Sequence, residues 1–543
     1  MKTRSVITRP YLDQKPGTAG LRKQVRVFQQ PGYLENFLQC IFDNGGKFAG
    51  ETLIAGGDGR YHNLEALQAL IRVAAGNGVR RLVVGRNGLL STPAASHLIR
   101  QRAAAGGFLL TASHNPGGPD GDFGVKFNTA TGGQAPESLT RAIYKATQSI
   151  DRYLEVDLAP VDLDLTGETD AAGMIVEVID PVLDYADLMV TLFDFDRIRA
   201  LFAGGFTARF DAMHAVTGPY AREILCHRLG APPDWLLNGT PLPDFGGGHP
   251  DPNPVDAGNL VALMNGAVPP DFAAASDGDG DRNMILGPGL VVSPGDSLAI
   301  LAANAQRIRG FRGGVSGVAR SMPTSRAIDE VARKLGVPCF ETPTGWRYFC
   351  NLLDDGRINL CGEESFGTSS DHVREKDGLW AVLFWLNLIA IRGLSVNEIV
   401  QDHWREFGRN AFNREDFFIP DAELGGRLMA NLEASAPGLC GRMFDGLEIT
   451  EADVFAYHDP VDGSISAQQG VRVFFDDGSR IVYRLSGTGT SGATLRIYLE
   501  RRVTEPGSLC RPAVELNAPL SAIARELSGI RELTGIEQPV AIV

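Results

Sequence analysis

A chain of 543 residues is too long for one hydrophobic core, so three or four domains are expected. Its hydrophobic share of 44% and charged share of 21% are those of a soluble globular protein. The formal net charge of −14 excludes bulk electrostatic binding to nucleic acid or to an acidic membrane, but leaves room for a local basic pocket. Seven cysteines without a CxxC pair read as reduced thiols, and the first residues carry no apolar signal region, so a cytoplasmic protein is expected.

Near the N-terminus, KPGTAGLR is a turn flanked by Gly17 and Gly20 and followed by Arg22. Residues 52–55 read as a strand, 64–75 as a helix, 81–85 as a strand, 93–105 as a helix and 107–110 as a strand, the pattern of a layered α/β domain. The last apolar run stops at Thr111, and TASHNPGGPDGDFGVKFN follows as a loop at the strand's C-terminal end, where open α/β sheets bind ligands. Ser113 heads that loop, His114 follows it, Pro116-Gly117-Gly118 excludes a helix, and Lys126 returns a short distance later. A hydroxyl, a basic neighbour and a glycine-rich turn suit a nucleophile that handles an anionic group; an ordinary surface turn is the alternative.

A second α/β passage has a strand at 207–213, a helix at 219–229, a Pro/Gly-rich connector at 240–254, and a strand at 272–276 that leads into DGDGDR. A third starts with a strand at Gly314 and a helix at 324–335. It passes through TPTGW, with Thr344 and Gly345, to the apolar residues 358–361 and GEESFG. Residues 379–391 are too few to span a bilayer and include Asn387, so they read as a buried helix. After residue 408 strands dominate, at 447–457, 471–475, 480–485 and 494–499, with helices at 421–434 and 520–528, an α+β pattern. The expected domains are 1–190, 191–302, 303–407 and 408–543, each contributing one polar loop.

In DGDGDR, Asp277, Asp279 and Asp281 repel one another unless a cation sits among them, and the intervening glycines let the backbone wrap around one hard ion. An EF-hand would need Gly at its sixth position and Glu at its twelfth; those positions hold Arg282 and Pro288. The two carboxylates and hydroxyl of GEESFG suit sugar hydroxyls, with a charged turn as the alternative. SGTGTSG contains a literal GxGxxG, but a strand pattern follows where a dinucleotide site needs a helix. Its glycines and hydroxyls still suit a backbone nest for phosphate, flanked by Arg484 and Arg496.

Taken together, TASHNPGG, DGDGDR, GEESFG and RLSGTGTSGAT resemble the phosphoserine, magnesium, sugar and phosphate loops of the α-D-phosphohexomutase superfamily, nearest its glucose-specific phosphoglucomutase branch. KPGTAGLR, DAMHAVTGPY, TPTGW, REKDGLWAV and DPVDGSIS extend the resemblance over essentially the whole chain. It implies three layered α/β domains plus a C-terminal α+β domain around a central cleft. It implies an isomerase that interconverts glucose 1-phosphate and glucose 6-phosphate, with Ser113 carrying a phosphoryl group. One Mg²⁺ per chain would be held by Asp277, Asp279 and Asp281 against Ser113, and glucose 1,6-bisphosphate would serve as intermediate and primer. Thr344, Gly345, Glu363, Ser365 and Arg282 would contact the sugar phosphate. Arg484, Ser486, Gly487, Thr488 and Arg496 would hold the phosphate that is not reacting. Arg22, His114, Lys126 and Lys376 are candidates for positioning and proton transfer. A phosphomannomutase or dual-specificity enzyme, a phosphatase and a non-catalytic scaffold relative are the competing readings. Small sugar phosphates are the expected partners, without nucleic acid or membrane, and the chain could be a monomer or a homodimer.

Overall fold

The strands Gly106–Leu110, Thr52–Gly57, Arg81–Leu89 and Met174–Ile179 lie side by side in parallel, and the first two are apolar runs buried on both faces, as such strands are expected to be. They form the middle of a seven-stranded sheet. Its antiparallel flanks are Leu21–Gln24 and Asp122–Thr129 on one side and Gly167–Ala171 on the other. Helices Tyr33–Asn44, Asn63–Gly76 and Thr92–Gln101 cover it, with Leu53, Leu70, Leu82 and Phe108 in the core. The computed structural model describes residues 3–17, 19–487 and 492–543. They fall into two units: the chain up to Val291 with Asn304–Ser316 and Gly345–Val396, and a second made of Val292–Ala303, Gly317–Thr344 and Asn397–Val543.

A second sheet, all but its last residue in the first unit, has the order Leu236–Leu237, Ala208–Asp211, Phe272–Ala275, Met284–Gly287, Leu290–Val292. The hairpin Leu360–Gly362 with Thr368–Ser370 and the helix Gly378–Arg392 complete the part that matters for the site. That helix is buried almost throughout, as its apolar sequence requires, and among the described residues no single helix is long and apolar enough to cross a membrane. The second unit has a parallel pair, Val318–Ser321 with Cys339–Thr342, and a separate seven-stranded sheet. Strands Val471–Phe475, Arg480–Ser486, Ala493–Val503 and Arg409–Ile419 are its antiparallel centre, and helices Ala422–Ser435 and Ala518–Ser528 pack on it through Leu428, Leu432, Leu520 and Ile523.

Several elements depart from the sequence pattern. The run after Ser113 is not all loop: Phe123, Val125 and Phe127 alternate inward and make Asp122–Thr129 a strand, so 106–110 is not the last strand of its sheet. Residues 219–229 are a short helix, Thr217–Ala221, that widens into a π-helical turn, Arg222–Arg228. The strand expected at Gly314 starts at Val318, because Gly314 has φ of +85° in a turn. The helix at 93–105 ends at Gln101, and the strand expected over 447–457 ends at Val454.

Candidate functional site

Strand ends supply the first set of side chains. Gly106–Leu110 ends at Thr111, and Ser113 follows with its backbone in the left-handed region, φ +55°. For a non-glycine residue that conformation costs on the order of 1 kcal/mol and persists only where the surroundings hold it. The Ser113 side chain is buried, its Oγ 3.1 Å from Asp277 Oδ2 and 3.4 Å from His114 Nδ1. Phe272–Ala275 likewise ends just before the acidic loop, and Asp277, Asp279 and Asp281 are each at most 1% exposed.

Oxygens of the three aspartates lie within 4.8 Å of one another. Unit charges about 4 Å apart repel by roughly 4 kcal/mol at an effective dielectric near 20, so this loop needs cations. Protein supplies some. Lys126, on the face of its strand opposite Phe123, Val125 and Phe127, puts Nζ 2.6 Å from Asp279 and 3.6 Å from Asp281. Lys376 Nζ lies 3.3 Å from Asp281 and 3.7 Å from Glu363. Thr92, at the start of its helix, donates its hydroxyl to Asp279 at 2.7 Å and its N–H to the Asp279 carbonyl at 2.9 Å. Asp279 Oδ1 has no hydrogen-bond partner among the described residues although it is buried. Three converging hard oxygen donors and an orphaned carboxylate oxygen fit an oxygen-seeking divalent cation such as Mg²⁺.

Burial, then Asp281 and Asp279, push the Asp277 carboxyl well above the usual range. Burial acts the same way on Asp279, but Lys126 and Thr92 outweigh it and hold Asp279 well below. Burial disfavours the charged forms of Lys126 and Lys376, yet the adjoining carboxylates keep both firmly protonated. Burial and the cations Arg282 and Arg22 drive His114 well below its ordinary value, so its ring is neutral.

The sugar-type loop abuts the acidic one. Arg282 and Gly367 form an isolated bridge, and Asn283 N–H donates to the Phe366 carbonyl at 2.9 Å. Glu363 accepts from Gly345 N–H at 3.2 Å, and Ser365 Oγ is 3.5 Å from its other oxygen. Asp377 caps the helix Gly378–Arg392 by accepting from Trp380 N–H, and it also accepts from Tyr185 and pairs with His372, which fixes the segment that carries Lys376. Arg22 sits half-buried in the edge strand Leu21–Gln24, within electrostatic reach of Asp279, Asp281 and Arg282. Arg282 Nη1 is 2.9 Å from Asp251. The first unit therefore brings together Ser113, His114, Lys126, Arg22, the three aspartates, Arg282, Glu363, Ser365, Gly345 and Lys376.

Thr344, Arg484, Ser486, Gly487 and Arg496 belong to the second unit, and Thr488 lies outside the described residues. There Arg484 stands directly opposite Arg496 on adjacent strands, and Ser486 opposite Thr494. Like charges so paired destabilise a sheet unless an anion is near. Tyr498 OH accepts from Arg484 at 3.3 Å, and Asp416 lies 3.9 Å from Arg496.

Sequence reading missed Asp58, Arg60, Thr92 and Glu375. Asp58-Gly59-Arg60 stands at the end of a buried strand just as Ser113 does, and that was the available signal. Glu375 lies between Arg374 and Lys376. It is buried, accepts from Asn128 and Gln134 at 3.0 Å each, and is pushed up to about 7 by burial, against the pull of Lys126.

Four family models match the chain in order. Phosphoglucomutase/phosphomannomutase alpha/beta/alpha domains I, II and III match 13–154, 184–289 and 294–407, and the phosphoglucomutase-1 C-terminal domain matches 409–540. A phosphoglucomutase of Rhizobium radiobacter is 54% identical over 542 residues, covering 99% of each chain. Phosphoglucomutase-1 of Oryctolagus cuniculus is 48% identical over 561 residues, covering all of both. Among solved structures, the open form of parafusin, a phosphoglucomutase from Paramecium, superposes with a TM-score of 0.92 at 46% identity, covering 100% of this chain and 99% of its own.

Proposed function

The chain belongs to the phosphoglucomutase/phosphomannomutase family, with its four-domain architecture of three α/β domains and a C-terminal domain, and on that premise we propose how its residues act. It is an isomerase that interconverts glucose 1-phosphate and glucose 6-phosphate. The carrier of the phosphoryl group is Ser113. The observation that carries this reading is the buried Ser113 Oγ, 3.1 Å from Asp277, on a strained loop facing three carboxylates.

Phosphoryl transfer breaks the Oγ–P bond of phosphorylated Ser113 and forms a P–O6 bond on glucose 1-phosphate; the O6 proton passes to a base and the freed Oγ takes up a proton. The resulting glucose 1,6-bisphosphate turns over and returns its 1-phosphate to Ser113: the Oγ–P bond forms as the P–O1 bond breaks, the Oγ proton passes to the base and O1 takes up a proton, leaving glucose 6-phosphate. Asp277, Asp279 and Asp281 would hold Mg²⁺, which supplies charge neutralisation at the phosphoryl oxygens. His114, with Nδ1 3.4 Å from Oγ, is the ring base nearest the nucleophile. Lys126 and Lys376 are engaged by carboxylates and serve as fixed positive charge. Glu363, Ser365, Thr344, Gly345 and Arg282 bind the sugar phosphate. Arg484, Ser486, Gly487, Thr488 and Arg496 bind the phosphate that is not being transferred. Seven unpaired thiols suit a reducing, cytoplasmic setting.

A coupled assay from glucose 1-phosphate to glucose 6-phosphate, with and without glucose 1,6-bisphosphate as primer, tests the reading. Turnover that needs Mg²⁺ and is stimulated by the primer is expected; no turnover with both present overturns it. The C-terminal match to a phosphoglucomutase-1 model favours glucose over mannose. Glucose 1-phosphate should outrun mannose 1-phosphate in kcat/KM, and equal values would make this a dual-specificity enzyme.

A further inference from the structure

Ser113 is strained and buried, and its shape is imposed from outside its own loop. Arg60 follows the strand Thr52–Gly57, and its side chain has no exposed surface. Its Nε donates to both oxygens of Asp58, at 3.1 and 2.9 Å. Nη1 donates to the Asp122 carbonyl at 2.8 Å and Nη2 to the Ser113 carbonyl at 2.6 Å, while the guanidinium lies over the Phe245 ring at 5.2 Å. Asp58 in turn accepts from the Thr111 hydroxyl, and Thr111 Oγ1 accepts from Ser113 N–H at 2.7 Å.

The chain of bonds therefore closes on Ser113 from both sides. Its N–H is held through Thr111 and Asp58, and its carbonyl directly by Arg60. With both adjoining peptide groups fixed, the φ of +55° is held, and on that backbone Oγ lies 3.1 Å from Asp277 Oδ2. The same carbonyl is the contact point of the metal-type loop. A Cβ added at Gly278 would lie 2.3 Å from Ser113 O and 3.5 Å from Arg60 Nη2. Arg60 thus grips the carbonyl at which the Ser113 loop and the aspartate loop meet. A planar fork with several N–H directions is needed to reach Asp58, Asp122 O and Ser113 O together; an ammonium on a flexible stem cannot do so.

We propose that Arg60, acting with Asp58 and Thr111, is the positioning residue of the Ser113 nucleophile, which it holds by its two flanking peptide groups for in-line phosphoryl transfer. This rests on the reading of Ser113 as the phosphoryl carrier. Arg60 touches neither substrate nor metal in this scheme; it acts through the loop. Misplacing a nucleophile by about 1 Å costs roughly 10²-fold, so that is the expected scale.

The test uses the full-length Mg²⁺-loaded enzyme and three variants. Arg60→Lys keeps the charge that compensates Asp58 but loses the fork, and Thr111→Val removes the acceptor for Ser113 N–H while leaving the Asp58–Arg60 pair intact. Both are expected to lose about 10²-fold in kcat with KM for glucose 1-phosphate near the parent, and to slow single-turnover phosphorylation of Ser113 by glucose 1,6-bisphosphate to the same degree. Thr111→Ser should restore the parent rates, because the acceptor oxygen is back. Parent-like kcat in Arg60→Lys and Thr111→Val, or a loss of kcat that only tracks a loss of thermal stability, overturns the positioning role. Ser113→Ala run alongside separates the two layers. If it is inactive while the other variants are unimpaired, positioning alone fails; if it is active, the phosphoserine reading fails.

Discussion

Around Ser113 the charged side chains are buried and matched: Arg60 with Asp58, Lys126 with Asp279 and Asp281, Lys376 with Asp281 and Glu363. On the strand pair that carries Arg484 and Arg496, two half-buried arginines stand at one register position, Arg484 bonded to the Tyr498 hydroxyl and Arg496 3.9 Å from Asp416. The first arrangement has its dipoles and charges aimed before substrate arrives, which is how electrostatics lowers a barrier. The second, on the proposed reading, is a cationic pair that would take the substrate's other phosphate, which is how a site gains affinity. Damage at the first should therefore appear in kcat, and damage at the second in KM.

The largest effect should come from Ser113→Ala. Loss of a covalent nucleophile costs at least about 10⁴-fold in kcat, and peptide mapping of the parent should find its phosphate on Ser113. Substantial turnover by this variant would break the comparison at its root. Next is Asp279→Ala, which removes a proposed cation ligand and leaves the buried Lys126 ammonium only Asp281 as a close carboxylate. A loss of roughly 10³-fold in kcat is expected, and chelator should abolish parent activity until Mg²⁺ is restored. Full activity in excess chelator would show that the aspartates serve structure alone.

The two regions should also differ in acid. Burial pushes Glu375, in the first unit, up to about 7, so the folded form binds a proton that the unfolded chain releases. Its stabilisation is complete below the ordinary carboxylate range and is lost as pH rises through 7. In the second unit burial pushes His403 down to about 4, so the unfolded chain binds the proton first. Its stabilisation is complete above about 6.5 and is lost as pH falls toward 4. Each is worth up to about 3 kcal/mol. Measured on chelated protein, Glu375→Gln should flatten the stability profile between pH 5 and 7, and His403→Gln the profile between pH 4 and 6. Unchanged slopes in both would show that neither group governs its unit. The amide introduced by Glu375→Gln can keep its neighbours, because Asn128 can still donate to its oxygen and Gln134 Oε1, which has no hydrogen-bond partner among the described residues, can turn to accept from its nitrogen. The smallest effect is Arg484→Ala. Losing one charge-assisted contact should raise KM for glucose 1-phosphate by roughly 10-fold, with the Mg²⁺ requirement unchanged. A fall in kcat at constant KM would place Arg484 with the buried charges instead.

Legibility in the sequence followed the range of the interaction. Asp277, Asp279 and Asp281 were readable because alternating carboxylates repel within one short loop, whatever the fold. Ser113 was readable because an apolar run stops at a strand end. Residues 409–419 were not read as a strand, since Arg409, Asn410, Asn413, Glu415 and Asp416 give it the look of a polar loop. Asn410, Asn413 and Glu415 are buried because Glu500, Asn517 and Arg525 meet them from about 90 to 110 positions away, at 2.6 to 3.0 Å.

By itself the sequence determined the strand-end loops, the acidic triplet, a buried helix over 379–391 and the order of α/β and α+β parts, because those depend on local pattern and short-range repulsion. Tertiary structure decided which cation meets which aspartate. Lys126 and Asp279 are 153 positions apart, and the pairing of Asp122–Thr129 with Gly106–Leu110 puts that ammonium on the face opposite Phe123, Val125 and Phe127, against the acidic loop. It also decided that Arg60, 53 positions before Ser113, holds its carbonyl. A buried charge is tolerable only beside its partner, and the partner is chosen by the packing of distant segments, which no local pattern encodes.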